Sequence, residues 1–235
     1  MPAALKSIGF IVTPVLHPTR GDMKRILVEF EDSIEPGDIV LFYFAVHGTQ
    51  WEDQNYLLPK HILKIDGVNL NRSAINAQNV LNTLSDRDPF VTIFLLDCCR
   101  NYHKRNTEIY ARGDSSDSKS ADFKPMDKTR SLIAFACASG TIVMDGQGQR
   151  NGLFTKHILE HTTTPNEDIS LMLRDVRQKV VEASNLQQIP FVSDGLLKKN
   201  IFLYEQHRYR LCAVSRRNEK SRPSAITYSV HPKSF

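Results

Sequence analysis

Cysteine is scarce in this chain: four among 235 residues (Cys98, Cys99, Cys137 and Cys212), two of them adjacent. That is too few for a secreted disulfide scaffold, and a chain of this length buries enough surface to fold without one. Long apolar runs are missing as well; none approaches the roughly 20 residues a membrane span requires. The opening Met1-Pro2-Ala3-Ala4-Leu5-Lys6 lacks the basic-then-apolar layout of a signal peptide. These absences lead us to expect a soluble cytoplasmic protein with free thiols and no membrane partner. An excess of one charge is also absent from most of the chain. The net charge is +4, yet residues 1–204 carry 23 basic and 24 acidic groups. No nucleic-acid-binding face is expected there. Residues 205–235 hold seven Lys/Arg against two acids, which reads as a basic, solvated and poorly ordered tail.

What is present is an alternation of strand and helix patterns. Ile39–Val46 and Val91–Leu96 are short, continuous runs of β-branched and aromatic residues, as central strands of a parallel sheet read when both faces are covered. Ser131–Cys137 and Ile201–Tyr204 look like two more strands, and Gly9–Val12 is a weaker one. Met23, Ile26, Leu27 and Phe30 recur at helical spacing, with Gly37 as a stop. Further helices are expected around Ile75–Leu84, Gly152–His161 and Ile169–Ala183. The order implies an open α/β sheet with helices on both faces, whose sites lie beyond the carboxyl ends of the strands. Residues 102–130 form one long polar gap, a functional loop or linker.

Two strands end in residues able to do chemistry. The first runs into His47-Gly48 and the second into Asp97-Cys98-Cys99-Arg100. Parallel strands deliver both ends to one edge of the sheet. A free thiol is mostly protonated at neutral pH, whereas the thiolate is the nucleophile. An imidazole beside it can take that proton and later deliver it to a leaving amine. Gly48 and Cys99 could offer backbone N–H groups to an oxyanion. Buried apolar cysteines at a strand end are the plain alternative. A cysteine followed by Arg, with a histidine about 50 residues upstream, resembles the caspase signature, and that resemblance favours the nucleophile.

The segments Phe42–Gly48 and Asn55–Pro59 resemble the histidine motif of the caspase-like cysteine peptidases. Leu95–Asn101 resembles their cysteine motif, closer to paracaspases and metacaspases than to caspases. Ala136–Gly140, Asn151–Thr155 and Gln188–Pro190 resemble later landmarks, so the likeness spans about residues 5–204. The resemblance implies a caspase-like domain over residues 1–204, with an intersubunit-type loop at 102–130. It implies Cys99 as nucleophile, His47 as general base and acid, and Gly48 with Cys99 at the oxyanion hole. Cys98 becomes a structural neighbour. It implies that Asp97 lines the specificity pocket and pairs with Arg or Lys of a protein or peptide substrate. Two charge-assisted hydrogen bonds to an arginine fork suit a carboxylate there; the alternative is a carboxylate that caps local backbone N–H groups. No cofactor is implied.

Two features depart from the family pattern. Val46 stands where glycine precedes the histidine, and a β-branched residue there restricts the backbone and narrows the site. The chain also begins late, since Leu5–Thr13 resembles the family's second strand. The sheet is then expected to lack an edge strand or borrow one, and an open edge invites a homodimer. The first loop's acidic specificity residue goes with the missing strand. Asp145 could substitute for it or be a surface carboxylate. Asp114, Asp117 and Asp122 are scattered and match no calcium cage. Arg112, Lys119, Lys124, Lys128 and Arg130 would be self-cleavage sites in an enzyme that cuts after basic residues, or members of a solvated linker.

Overall fold

The two apolar runs become neighbouring central strands because each can bury side chains on both faces. The structure, a computed structural model, describes residues 1–51, 54–59, 70–98, 101–103, 126–138, 151–206 and 223–229. β1 (Ile11–Leu16), β2 (Ile39–Ala45), β6 (Val91–Leu96), β8 (Ser131–Phe135), β9 (Phe191–Asp194) and β10 (Pro223–Ser229) form a six-stranded sheet in the order β1-β10-β2-β6-β8-β9. All pairings are parallel except β8 with β9. Every residue of β6 is buried, and a buried Phe or Leu contributes about 1.5–3 kcal/mol.

Odd-numbered positions Leu41, Tyr43, Ile93 and Leu95 face one core, shared with α1 (Pro2–Ser7), α5 (Leu153–His161) and α6 (Ile169–Ala183). Even-numbered Val40, Phe42, Phe44, Phe94 and Leu96 face a second core, shared with α2 (Arg20–Asp32) and α4 (Ala77–Ser85). This is the period-two alternation of a strand. The helices begin where polar caps allow. Thr19 and Asp22 form a reciprocal capping box at α2, and the Asn76 side chain accepts from Asn79 N–H at α4. Among the described residues no helix is long and apolar enough to cross a membrane.

A second sheet grows from the end of β2. It holds β3 (His47–Trp51), β4 (Gln54–Leu58), β5 (Ile75–Asn76) and β7 (Asn101–His103), in the order β5-β4-β3-β7. The α3 turn (Leu70–Ser73) precedes β5.

Of the differences from the sequence expectation, three bear on the six-stranded sheet. Ile201–Tyr204 is not a sheet strand; its backbone joins the start of α6. Ile169 N–H donates to the Ile201 carbonyl at 2.9 Å, Asn166 N–H donates to Tyr204, and the Asp168 carboxylate accepts from Asn200 and Ile201 N–H. Phe191–Asp194, unread in the sequence, takes the antiparallel edge beside β8. Pro223–Ser229, expected within a poorly ordered tail, is a strand between β1 and β2, parallel to both. The sheet thus borrows a strand, and from the C-terminal side. The physical reason is backbone pairing: β1 and β2 are spaced by one strand and both present unpaired edges to it.

Candidate active site

The parallel register brings β2 and β6 to a common edge. Phe44 is opposite Leu96, and Asp97 N–H donates to the Phe44 carbonyl at 2.8 Å. On the far side Ala136 N–H donates to the Leu96 carbonyl at 2.9 Å. The chain leaves β2 through Val46 and enters β3 at His47. Val46 is buried in the core with Phe44 and Ile226, so its side chain fills the interior. His47 is exposed and Gly48 is buried, paired in register with Leu58 and Leu57 of β4.

Cys98 is 5% exposed and sits in the same core as Phe44 and Leu96. Its carbonyl accepts from the Cys137 thiol at 3.7 Å. A sulfur so enclosed is a packing group, as expected of a structural neighbour. Cys99 lies outside the described residues, as do Arg112, Asp114, Asp117, Lys119, Asp122, Lys124 and Asp145.

Asp97 is half-buried and turned toward the first turn of α5. Its Oδ2 accepts a hydrogen bond from the Thr155 hydroxyl. The Tyr43 hydroxyl lies 2.8 Å from the same Thr155 oxygen. Burial, reinforced by the Asp97 charge, pushes the Tyr43 phenol far above its ordinary range; it stays protonated. Gly152, the residue before α5, is where a Cβ would meet Asp97 Oδ2 at 3.2 Å, so glycine leaves the room the carboxylate uses. A side-chain hydroxyl, that of Thr155, holds Asp97. Tyr43 and Thr155 fall within quoted motifs, but nothing in their sequence spacing of 112 residues signals contact.

Gln188, fully buried, donates from its amide to the Ala136 carbonyl at 2.9 Å, and Ala138 N–H donates to the Ile189 carbonyl at 2.8 Å. This fastens the segment before β9 beneath the same edge. Lys128 and Arg130, considered as cleavage sites, are held in place. The Arg130 carbonyl accepts from Thr92 N–H, the Lys128 carbonyl from Ser131 N–H, and their side chains pair with Asp88 and Asp86 respectively. Among the described residues no group of three or more His, Cys, Asp or Glu could hold a metal ion.

The family model described as the Caspase domain matches residues 1–202. The chain belongs to the caspase-domain family. That family consists of cysteine peptidases acting on protein substrates. The human mucosa-associated lymphoid tissue lymphoma translocation protein 1 is 25% identical over 179 residues, and its Mus musculus homologue matches to the same extent. These alignments cover 74% of this chain and 20% of either relative, so the chain spans about a fifth of their length. Among solved structures, caspase-1 from Spodoptera frugiperda superposes with a TM-score of 0.58 at 16% identity, covering 87% of this chain and 80% of that one. The structure of pro-sf-caspase-1 gives 0.61 at 15% identity, with coverages of 88% and 80%. These two likenesses establish a caspase-like α/β fold for the domain.

Proposed function

We propose that this caspase domain is a cysteine-type endopeptidase with a His47/Cys99 dyad, cutting after Arg or Lys selected by Asp97. The observation that carries the dyad is a shared register. Phe44 pairs with Leu96 in the large sheet and Thr49 pairs with Asn101 in the small one. Both pairings have a sequence offset of 52, the same offset that separates His47 from Cys99. The histidine and the cysteine fall between two matched rungs, which supports their being neighbours.

In this reading the His47 imidazole takes the Cys99 proton, and the thiolate attacks the scissile carbonyl carbon. The Gly48 and Cys99 N–H groups donate to the oxyanion, at about 3–4 kcal/mol for a well-aligned donor. The imidazolium protonates the leaving amine, and water then hydrolyses the thioester. Asp97 accepts the charge-assisted hydrogen bonds of the basic side chain before the scissile bond. The substrate is a protein or peptide, and the chemistry calls for no cofactor. The reading places the enzyme in a reducing compartment such as the cytoplasm, and a homodimer is compatible with its open sheet edges.

A catalytically impaired interaction module is the other reading of the sequence. Val46, in place of the family's glycine, would be its motive, but Val46 packs inward and β10 completes the sheet between β1 and β2, so neither observation favours it. The test is turnover of fluorogenic Arg, Lys and Asp peptides. Arg or Lys cleavage is expected, abolished in Cys99→Ala and retained in Cys98→Ala. Cleavage after Asp alone would remove the pocket assignment, and an active Cys99→Ala would remove the dyad.

A further inference from the structure

The buried phenol behind the acid has a direction. An ionised carboxylate only accepts hydrogen bonds, so the Thr155 proton goes to Asp97 Oδ2. That proton is then committed, and the 2.8 Å contact with Tyr43 must be filled by the phenol's own O–H. Tyr43, fully enclosed in β2 and held protonated by burial and by the nearby Asp97 charge, cannot reverse the chain. The result is a fixed line, Tyr43 O–H to Thr155 Oγ1 and Thr155 O–H to Asp97 Oδ2. It runs from the core floor to the rim, across β2, α5 and the end of β6. A carboxylate has about four acceptor positions, so the bond from Thr155 to Oδ2 orients it without exhausting them.

We infer that Thr155, backed by Tyr43, is a positioning residue for substrate specificity: it holds the rotamer in which Asp97 meets a basic side chain. The inference rests on the reading of Asp97 as the specificity acid. Thr155 touches neither the scissile bond nor the dyad in this scheme, so its loss acts on recognition before it acts on chemistry. Gly152 belongs to the same device by leaving the carboxylate its space.

The experiment compares the full chain with Thr155→Val, which keeps shape but removes the hydroxyl, and Thr155→Ser, which restores it. For an Arg peptide, Thr155→Val is expected to raise KM about tenfold with kcat within about twofold. Its preference for the Arg peptide over one with a neutral residue at that position narrows to a similar extent, since the carboxylate loses the donor that orients it. Thr155→Ser returns both to wild type. Tyr43→Phe gives the same direction with a smaller size and serves if Thr155→Val fails to fold. Alkylation of the catalytic thiol by iodoacetamide proceeds at the wild-type rate in each variant. An unchanged KM and an unchanged preference for Arg in Thr155→Val would overturn the inference while leaving the peptidase reading intact. Joint loss of turnover and alkylation in a folded variant would overturn it too, as a structural role. A wild-type chain that cleaves no basic peptide would instead bring down the parent reading, and this one with it.

Discussion

β2 and β10 lie side by side in one parallel sheet, paired over seven rungs, yet they could hardly be less alike. β2 buries five consecutive residues, Val40 to Phe44, three of them aromatic. Its Phe42 ring stacks on Phe94 at a centroid distance of 4.7 Å. β10 reads Pro-Ser-Ala-Ile-Thr-Tyr-Ser, and its buried side chains Ala225, Ile226 and Thr227 are small or medium. Both strands pair with two neighbours; β2 adds a run of large buried side chains, and β10 adds Ala225, Ile226 and Thr227. The edge strand β1 reaches the rest of the sheet through β10. A strand can therefore be topologically central with a core of small and medium side chains.

The largest effect should come from Ile226→Asp. Ile226 is fully buried in the core with Phe42 and Phe44. An unpaired carboxylate there costs several kcal/mol, a large part of the 5–15 kcal/mol that keeps a domain folded. Urea denaturation followed by circular dichroism should show a collapsed or lost cooperative transition. A midpoint equal to wild type would mean that β10 does not belong to the folded sheet.

Truncating both strands to alanine sharpens the contrast. Phe42→Ala removes a ring packed between Phe44 and Phe94 and should cost about 3–5 kcal/mol. Ile226→Ala should fall near the lower end of the roughly 2–5 kcal/mol seen for aliphatic truncations, because β10 retains its backbone pairs. The two denaturation midpoints measure this directly. The reverse order would make side-chain packing, and not pairing, the anchor of β10.

The same contrast explains what could be read from the sequence. β2, β6 and β8 were legible because continuous apolar runs leave few alternatives, and α6 because Leu173, Val176 and Val180 repeat at helical spacing. Asp97 and His47 were legible because each directly follows such a run. β10 was not, since nothing in Pro223–Ser229 demands burial on its own; its place comes from the gap between β1 and β2. The β3–β4 hairpin was missed because His47-Gly48-Thr49-Gln50 carries no apolar alternation. Its burial arises from pairing with β4 and β7. Thr155 was missed for a similar reason: helical threonines are common, and only the turn of α5 over the end of β6 brings this one to Asp97.

The smallest expected effect has the opposite sign. Thr227 is opposite Tyr43 in the β10–β2 register, and its Oγ1 is buried with no hydrogen-bond partner among the described residues. Tyr43 donates nothing to it, because its single proton goes to Thr155. A buried hydroxyl left unpaired carries a desolvation cost of about 1–3 kcal/mol, and valine keeps the shape without the polar atom. Thr227→Val should therefore stabilise by about 1 kcal/mol, or roughly 2–4 °C in Tm for a domain of this size. Its kcat/KM on Arg peptides should stay at the wild-type value, because the line from Tyr43 to Asp97 does not pass through β10. A lower Tm would show that the Thr227 hydroxyl is satisfied in solution. An altered KM would show that β10 reaches the specificity acid through its neighbour Tyr43, tying the borrowed strand to recognition as well as to the sheet.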